Sequence, residues 1–191
     1  MALRLSVLGL LALLFPVTGC STYRSGFDFQ PRPLESAILP REGKGSARAL
    51  VSVVGIRRRD KDAGRPEEVE VRLLLENRTD ADIILELGSL LLVSGNLRPF
   101  DDPRIEGRGE GRIAPAASES YRLFFPVPPP DDEGRQPDLD GLNLRLTVGF
   151  RGGEERVTVG ATFSRIVYRD DASYDHWFDS WRVGTRWTYC Y

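Results

Sequence analysis

The chain has 191 residues, enough for one domain with a real core plus tethers. Its 26 basic and 28 acidic side chains give a formal net charge of −2, which excludes a general nucleic-acid binder because that function needs a concentrated basic excess. The first element along the chain is apolar. Arg4 supplies a positive flank, and Leu5 to Val17 is apolar apart from Ser6, a run too short for the ~20 residues of a membrane-spanning helix. Residues 1–19 therefore read as an export signal.

The run ends in Val17-Thr18-Gly19-Cys20. This tetrapeptide resembles the lipobox of bacterial lipoprotein precursors, in which an aliphatic residue, a small one and Gly or Ala precede the cysteine that is lipidated. Small residues let a peptidase approach the backbone, and a thiol is the nucleophile that accepts a diacylglycerol group as a thioether. The resemblance implies a lipidated Cys20 at the mature N-terminus, with Val17, Thr18 and Gly19 as the cleavage motif. Acyl chains such as palmitate would hold the protein on a membrane at ~0.8 kcal/mol per buried CH₂. In that family aspartate after the cysteine accompanies retention in the inner membrane, so Ser21 implies the outer membrane, facing the periplasm. An acylated Cys20 leaves Cys190 as the other thiol, expected to sit partly buried and reduced.

Residues 20–46 read as the lipidated N-terminus and an extended stalk, because Pro31, Pro33, Pro40 and three glycines break any regular pattern. Phe27 and Phe29 are unusual in a solvated linker, which leaves docking on the domain open for them. From Ala47 the pattern becomes period two, the signature of half-buried strands. Ala49 to Ile56 is a short apolar stretch before the basic run Arg57 to Lys61, a candidate contact for anionic lipid or surface polymer that Glu67 and Glu68 are expected to offset across the same hairpin. Val69, Val71, Leu73 and Leu75 alternate with Glu70, Arg72 and Glu76, and Asn77-Arg78-Thr79-Asp80 turns the chain. Ile83, Leu85 and Leu87 mark a third strand, and Leu90 to Val93 a fourth that ends at the turn Ser94-Gly95-Asn96. Asp101 to Gly111 reads as a loop. A fifth strand holds Tyr121, Leu123 and Phe125, and Pro-rich sequence ends it. Leu142 to Phe150 and Val157 to Phe163 form the last pair, joined by a hairpin at Arg151-Gly152-Gly153-Glu154.

About seven short strands with one apolar face each, and no convincing helix between them, predict an all-β protein: an antiparallel β-sandwich of immunoglobulin-like type over residues 47–164. The order "VEVRLLLENRTDADIIL", "LLLVSG", "IAPAASESYRLFFPVP" resembles the Ig-like domains found on many bacterial envelope lipoproteins. There an Asn-containing turn follows the second strand, and a Pro-small-Ser turn precedes a strand ending in Phe-x-Val-Pro. The resemblance spans Val51 to Ser164 and implies a fold; it carries no catalytic residue across.

Residues 165–191 differ in kind and hold every tryptophan of the chain. Tyr174, Trp177, Phe178 and Trp181 recur at i, i+3, i+4 and i+7, which predicts a short helix with one aromatic stripe. Beyond Gly184, Trp187, Tyr189 and Tyr191 alternate as in a strand. The segment is expected to pack on the sandwich as core; the same aromatics, Trp187 included, are also a candidate contact surface for glycan, lipid headgroups or a protein.

No catalytic set emerges. His176 has Asp175 and Asp179 near it but no further nitrogen or sulfur to complete a zinc site, and no serine sits in a G-x-S-x-G elbow for it to serve. Asp101, Asp102, Asp131, Asp132 and Glu133 lie in Pro-broken loops without EF-hand spacing. "GRGEG" at 107–111 lacks the strand-to-helix setting of a phosphate cradle. No metal and no cofactor are expected. The sequence thus favours a non-enzymatic, lipid-anchored envelope protein that binds or scaffolds an envelope protein or glycan. An accessory subunit of an outer-membrane assembly or secretion complex and, behind it, an envelope polymer hydrolase are the alternatives.

Overall fold

The computed structural model describes residues 22–41, 45–107, 109–150 and 154–168. Eleven strands follow one another along them: β1 (Phe27–Gln30), β2 (Leu34–Ile38), β3 (Ala47–Arg57), β4 (Glu68–Asn77), β5 (Ile83–Leu85), β6 (Leu91–Val93), β7 (Arg104–Gly107), β8 (Arg112–Ile113), β9 (Ser118–Pro126), β10 (Leu142–Phe150) and β11 (Glu155–Val167). One sheet has the order β2-β3-β4-β9-β7; the other has β1-β11-β10-β5-β8, with β6 also on β10. All pairings between strands are antiparallel. Among the described residues there is no α-helix, and a 3-10 turn at Leu87–Ser89 separates β5 from β6. The described residues are therefore all-β, two antiparallel sheets packed as a sandwich.

The alternation read from the sequence builds the core directly. Val69, Val71, Leu73 and Leu75 of β4 and Leu142, Leu144, Leu146 and Val148 of β10 point into one buried cluster with Tyr121, Leu123, Phe125 and Phe163. Each such aliphatic side chain contributes about 1.5–3 kcal/mol when fully buried. The β10–β11 pair keeps an unbroken register from Leu142↔Phe163 to Phe150↔Glu155.

Four expectations are corrected. The expected stalk at 20–46 contains β1 and β2. Pro31 and Pro33 lie between these strands, where a ladder does not need their missing N–H groups, and the chain changes sheets there. Phe29 is 1 % exposed, so the aromatics that seemed foreign to a linker belong to the sandwich. β11 runs on to Val167 because β1 extends its edge, pairing Phe27↔Val167 and Gln30↔Ser164; the boundary at 164 falls inside a strand. The loop at Asp101 to Gly111 holds β7, an edge strand on β9, and β8 follows it at Arg112. Leu87 lies in the 3-10 turn rather than in a strand.

Register places one end of the sandwich clearly. Arg57, Glu68 and Pro126 are neighbours across β3, β4 and β9, and Tyr23 bridges to Arg57, so the β3–β4 hairpin and the first described residues share that end. Residues 127–141 cross between the sheets at the same end, where Val127 N–H donates to the Glu67 carbonyl. The chain also leaves β11 there, with Tyr168 N–H donating to the Gly26 carbonyl at 2.9 Å.

Candidate functional site

A β-bulge in β3 shapes a densely paired patch on the outer face of its sheet. Odd-numbered residues of β3 face the core as far as Val53; the register then shifts between Val53 and Gly55, and Ile56 becomes the core residue opposite Val69. An extra residue reverses the parity of everything after it, so Arg57 is turned to the outer face. There it meets Phe124 of β9, a phenylalanine on the outside of the sheet that is nevertheless fully buried. Guanidinium groups cover its ring: Arg104 at 4.1 Å, Arg122 at 5.0 Å and Arg57 at 5.2 Å from the centroid. Each contact of this kind contributes about 0.5–2 kcal/mol, depending on desolvation.

Three cations over one ring repel one another, and carboxylates from neighbouring strands separate them. Arg104 Nη2 lies 3.1 Å from Glu68 Oε2, Arg122 Nε 3.2 Å from Glu70 Oε1, and Arg122 Nη1 3.0 Å from Glu106 Oε2; Arg104 also donates to Glu106. Glu70 is completely buried, and Arg72 and the Tyr23 hydroxyl approach it as well. Burial would raise the Glu70 pKa, but hydrogen bonds from Tyr23 and Arg122 and the charges of Arg122 and Arg72 outweigh it and hold the carboxyl below its usual value. The Tyr23 phenol is pushed up to about 12, first by burial and then by the Glu70 carboxylate.

What this array does is fasten the first described residues to the sheet. Arg58 N–H donates to the Thr22 carbonyl and Arg24 N–H to the Ile56 carbonyl, both at 2.9 Å, while the Arg24 side chain reaches Glu67 at 2.6 Å. The Tyr23 ring lies on Gly55, whose φ of +155° suits glycine; a Cβ there would stand 3.3 Å from the ring. Glu67 and Glu68 are thus spent on Arg24 and Arg104. They do not offset the basic run Arg57 to Lys61, because β4 aims them at partners outside the hairpin.

A pH test follows from Glu70. Its folded pKa is depressed, so its contribution is fully present above the unfolded value of about 4.3 and is lost as pH falls through the folded one. Glu70→Gln should cost about 1.5–3 kcal/mol at pH 7, the range for hydrogen bonds to a charged group. The difference from wild type should shrink in thermal melts taken below the unfolded pKa. A deficit independent of pH would mean that packing, not the charge, holds Tyr23.

The other sequence-predicted positions divide into two groups. Val17, Thr18, Gly19 and Cys20, and likewise Tyr174, Trp177, Phe178, Trp181, Trp187 and Cys190, lie outside the described residues, as does His176. Of the loop carboxylates, Asp131 and Glu133 are used on their own turn, Glu133 by pairing with Arg135, while Asp101, Asp102 and Asp132 make no side-chain hydrogen bond or ion pair among the described residues. Asp131 accepts the Glu133 and Arg135 amides and pairs with the Arg135 side chain, and Asp138 accepts the Asp140 amide. Among the described residues no group of three or more His, Cys, Asp or Glu is placed to hold a metal ion, and no helix is long and apolar enough to cross a membrane. The Tyr23–Glu70–Arg122–Phe124 cluster was not foreseen. The signals for it were Gly55 inside an apolar stretch and Phe124 at a polar-face position of its strand. Comparison with family models, with curated proteins and with solved structures gave no match.

Proposed function

We propose that this protein is a lipid-anchored component of the bacterial cell envelope whose immunoglobulin-like domain serves as a non-enzymatic binding or scaffolding module. The observation that carries this reading is the junction of motif and fold. The tetrapeptide Val17-Thr18-Gly19-Cys20 is followed after one residue by Thr22, already hydrogen-bonded to Arg58 just beyond β3, so an anchor on Cys20 would join the domain with almost no intervening chain. The Tyr23–Glu70 clamp gives that junction its rigidity. Ser21 after the cysteine favours the outer membrane.

The immunoglobulin-like assignment has its own support in strand order. Counting β3, β4, β5 with β6, β7, β9, β10 and β11 as first to seventh, one sheet runs first-second-fifth-fourth and the other third-sixth-seventh. That order matches constant-type immunoglobulin domains, with β1, β2 and β8 added at the edges and without the Cys-Trp-Cys core. Tyr168, the last described residue, lies at the same end of the sandwich as Thr22, and we read the aromatic sequence beyond it as a contact for an envelope protein, glycan or headgroup.

Metabolic labelling with palmitate in a bacterial host tests the anchor. Label should enter the wild-type chain and be absent from Cys20→Ser, which should appear in the soluble envelope fraction. Equal label in both would end this reading.

A further inference from the structure

The tip of the β3–β4 hairpin gathers four exposed cations that make no ion pair among the described residues; Arg41, Arg98, Arg145 and Arg165 also make none, but each lies alone on another element. Arg24, Arg48, Arg72, Arg78, Arg104, Arg112, Arg122, Arg135 and Arg156 all have carboxylate partners. None of the ion pairs among the described residues involves Arg58, Arg59, Lys61 or Arg65, and all four are exposed. Two acids, Asp60 and Asp62, lie among these four cations, so the tip keeps a net charge of +2, and the first of them also shapes the turn. Asp60 Oδ1 accepts the amides of Asp62 and Ala63 at 3.1 and 3.0 Å, and Asp60 and Arg65 exchange backbone hydrogen bonds at 3.1 and 2.9 Å. The turn is therefore shaped by the carboxylate while the cations are left over. Arg59, Lys61 and Arg65, with Asp60, Gly64 and Pro66, line an open concavity of about 370 Å³.

Position gives this patch its partner. Arg58 N–H holds the Thr22 carbonyl, and two peptide units from Thr22 to Cys20 span at most about 7 Å. If Cys20 is acylated, the bilayer surface lies within about one Debye length, ~8 Å at physiological salt, of the base of the hairpin, so its charges are not screened from the headgroups. The crossover at 127–141 shares this end of the sandwich and carries Asp131, Asp132, Glu133, Asp138 and Asp140 against Arg135. An anionic surface repels that side and attracts the hairpin. The domain must then lean toward β3–β4.

We propose that the β3–β4 hairpin is a membrane-contact element, in which Arg58, Arg59, Lys61 and Arg65 bind anionic phospholipid headgroups and set the tilt of the domain on the bilayer. The proposal rests on the lipid-anchor reading above, since the anchor is what brings the hairpin to the surface. Its occupant is the membrane itself, selected by charge complementarity and by the shortness of the link to Cys20.

The test uses the full mature, lipidated chain on vesicles of phosphatidylcholine alone or of phosphatidylcholine with phosphatidylglycerol. Amide hydrogen exchange at residues 58–65 should slow roughly tenfold or more on the phosphatidylglycerol vesicles and stay unchanged on the neutral ones, given the attraction of each basic side chain near an anionic leaflet. The combined Arg58→Gln, Arg59→Gln, Lys61→Gln and Arg65→Gln variant should lose that protection while keeping its thermal midpoint, because all four side chains are exposed and unpaired in the fold. Protection that is equal on both vesicle types, absent from both, or retained by the variant overturns the proposal. Absence of lipid on Cys20 in the palmitate experiment defeats the anchor instead, so the two failures are told apart.

Discussion

Phe29→Ala should destabilise the protein by about 3–5 kcal/mol, the range for truncating a large aromatic in a packed interior. Phe29 is 1 % exposed, belongs to the central cluster, and makes an edge-to-face contact with Phe27 at 5.7 Å between centroids and 82° between planes. Its strand also covers the edge of β11 opposite Arg165. Urea denaturation of a chain starting at residue 20 measures the effect. If residues 20–46 were a solvated stalk, the same change would fall within ~0.5 kcal/mol, as exposed substitutions do. A chain cut back to residues 47–164 makes the same point more severely. It lacks Phe29 and Ile38, both buried, and bares the edges of β3 and β11, so it should melt without the cooperative transition of the longer chain.

Legibility in the sequence followed the balance between pattern and interruption. β4 and β10 were plain because each buries at least every second residue along its whole length, and an alternation that long and unbroken belongs to a strand with one face in a core. The third strand of the sandwich was counted twice because the 3-10 turn at Leu87–Ser89 splits it, and both halves, β5 and β6, pair with the same strand. Two strands between them and β9, β7 and β8, were missed altogether: Arg-Ile-Glu-Gly at 104–107 and Arg-Ile at 112–113 are short edges with one apolar side chain each, and their evidence lies in their partners. β1 and β2 were hidden by the prolines between them, since local sequence does not tell a change of sheet from the loose chain of a linker.

The anchoring cluster was hidden for a different reason. On the polar face of a strand a glutamate is ordinarily solvated, so Glu70 carried no sign that Tyr23, 47 residues earlier, would close over it. The bulge that turns Arg57 outward depends on pairing across β3 and β4, and pairing is not a property of either strand's own sequence. Motif and fold are complementary here. The clamp holds Tyr23 on the sheet, and if the tetrapeptide at 17–20 is the lipidation motif proposed above, it would give that hold a use.

Asn77 should be the least replaceable polar residue in the sandwich. It is 1 % exposed at the end of β4, and its side chain has all four of its hydrogen-bonding positions filled. Nδ2 donates to the carbonyls of Ala81 at 2.8 Å and Ile113 at 2.9 Å; Oδ1 accepts from the Thr79 amide at 2.9 Å and the Thr79 hydroxyl at 2.7 Å. Ile113 belongs to β8 in the opposite sheet, so this one amide both shapes the turn after β4 and ties the two sheets together. Asn77→Leu keeps the volume but strands the Ile113 carbonyl and the Thr79 amide away from water, at about 1–3 kcal/mol for each buried group left unsatisfied. A total loss of about 2–5 kcal/mol is expected in urea denaturation. Asn77→Asp separates hydrogen bonding from shape, because it is nearly isosteric yet replaces the Nδ2 donor with an oxygen facing two carbonyl oxygens. Burial and those carbonyls raise the pKa of the new carboxyl in the folded state above its unfolded value of about 3.9. The sign of the linkage is then fixed: the protonated variant loses least at low pH, and its deficit grows as pH rises through the unfolded pKa toward the folded one. A loss for Asn77→Asp that is the same at pH 4 and pH 7, or a loss for Asn77→Leu within ~0.5 kcal/mol, would reduce Asn77 to an ordinary surface turn residue.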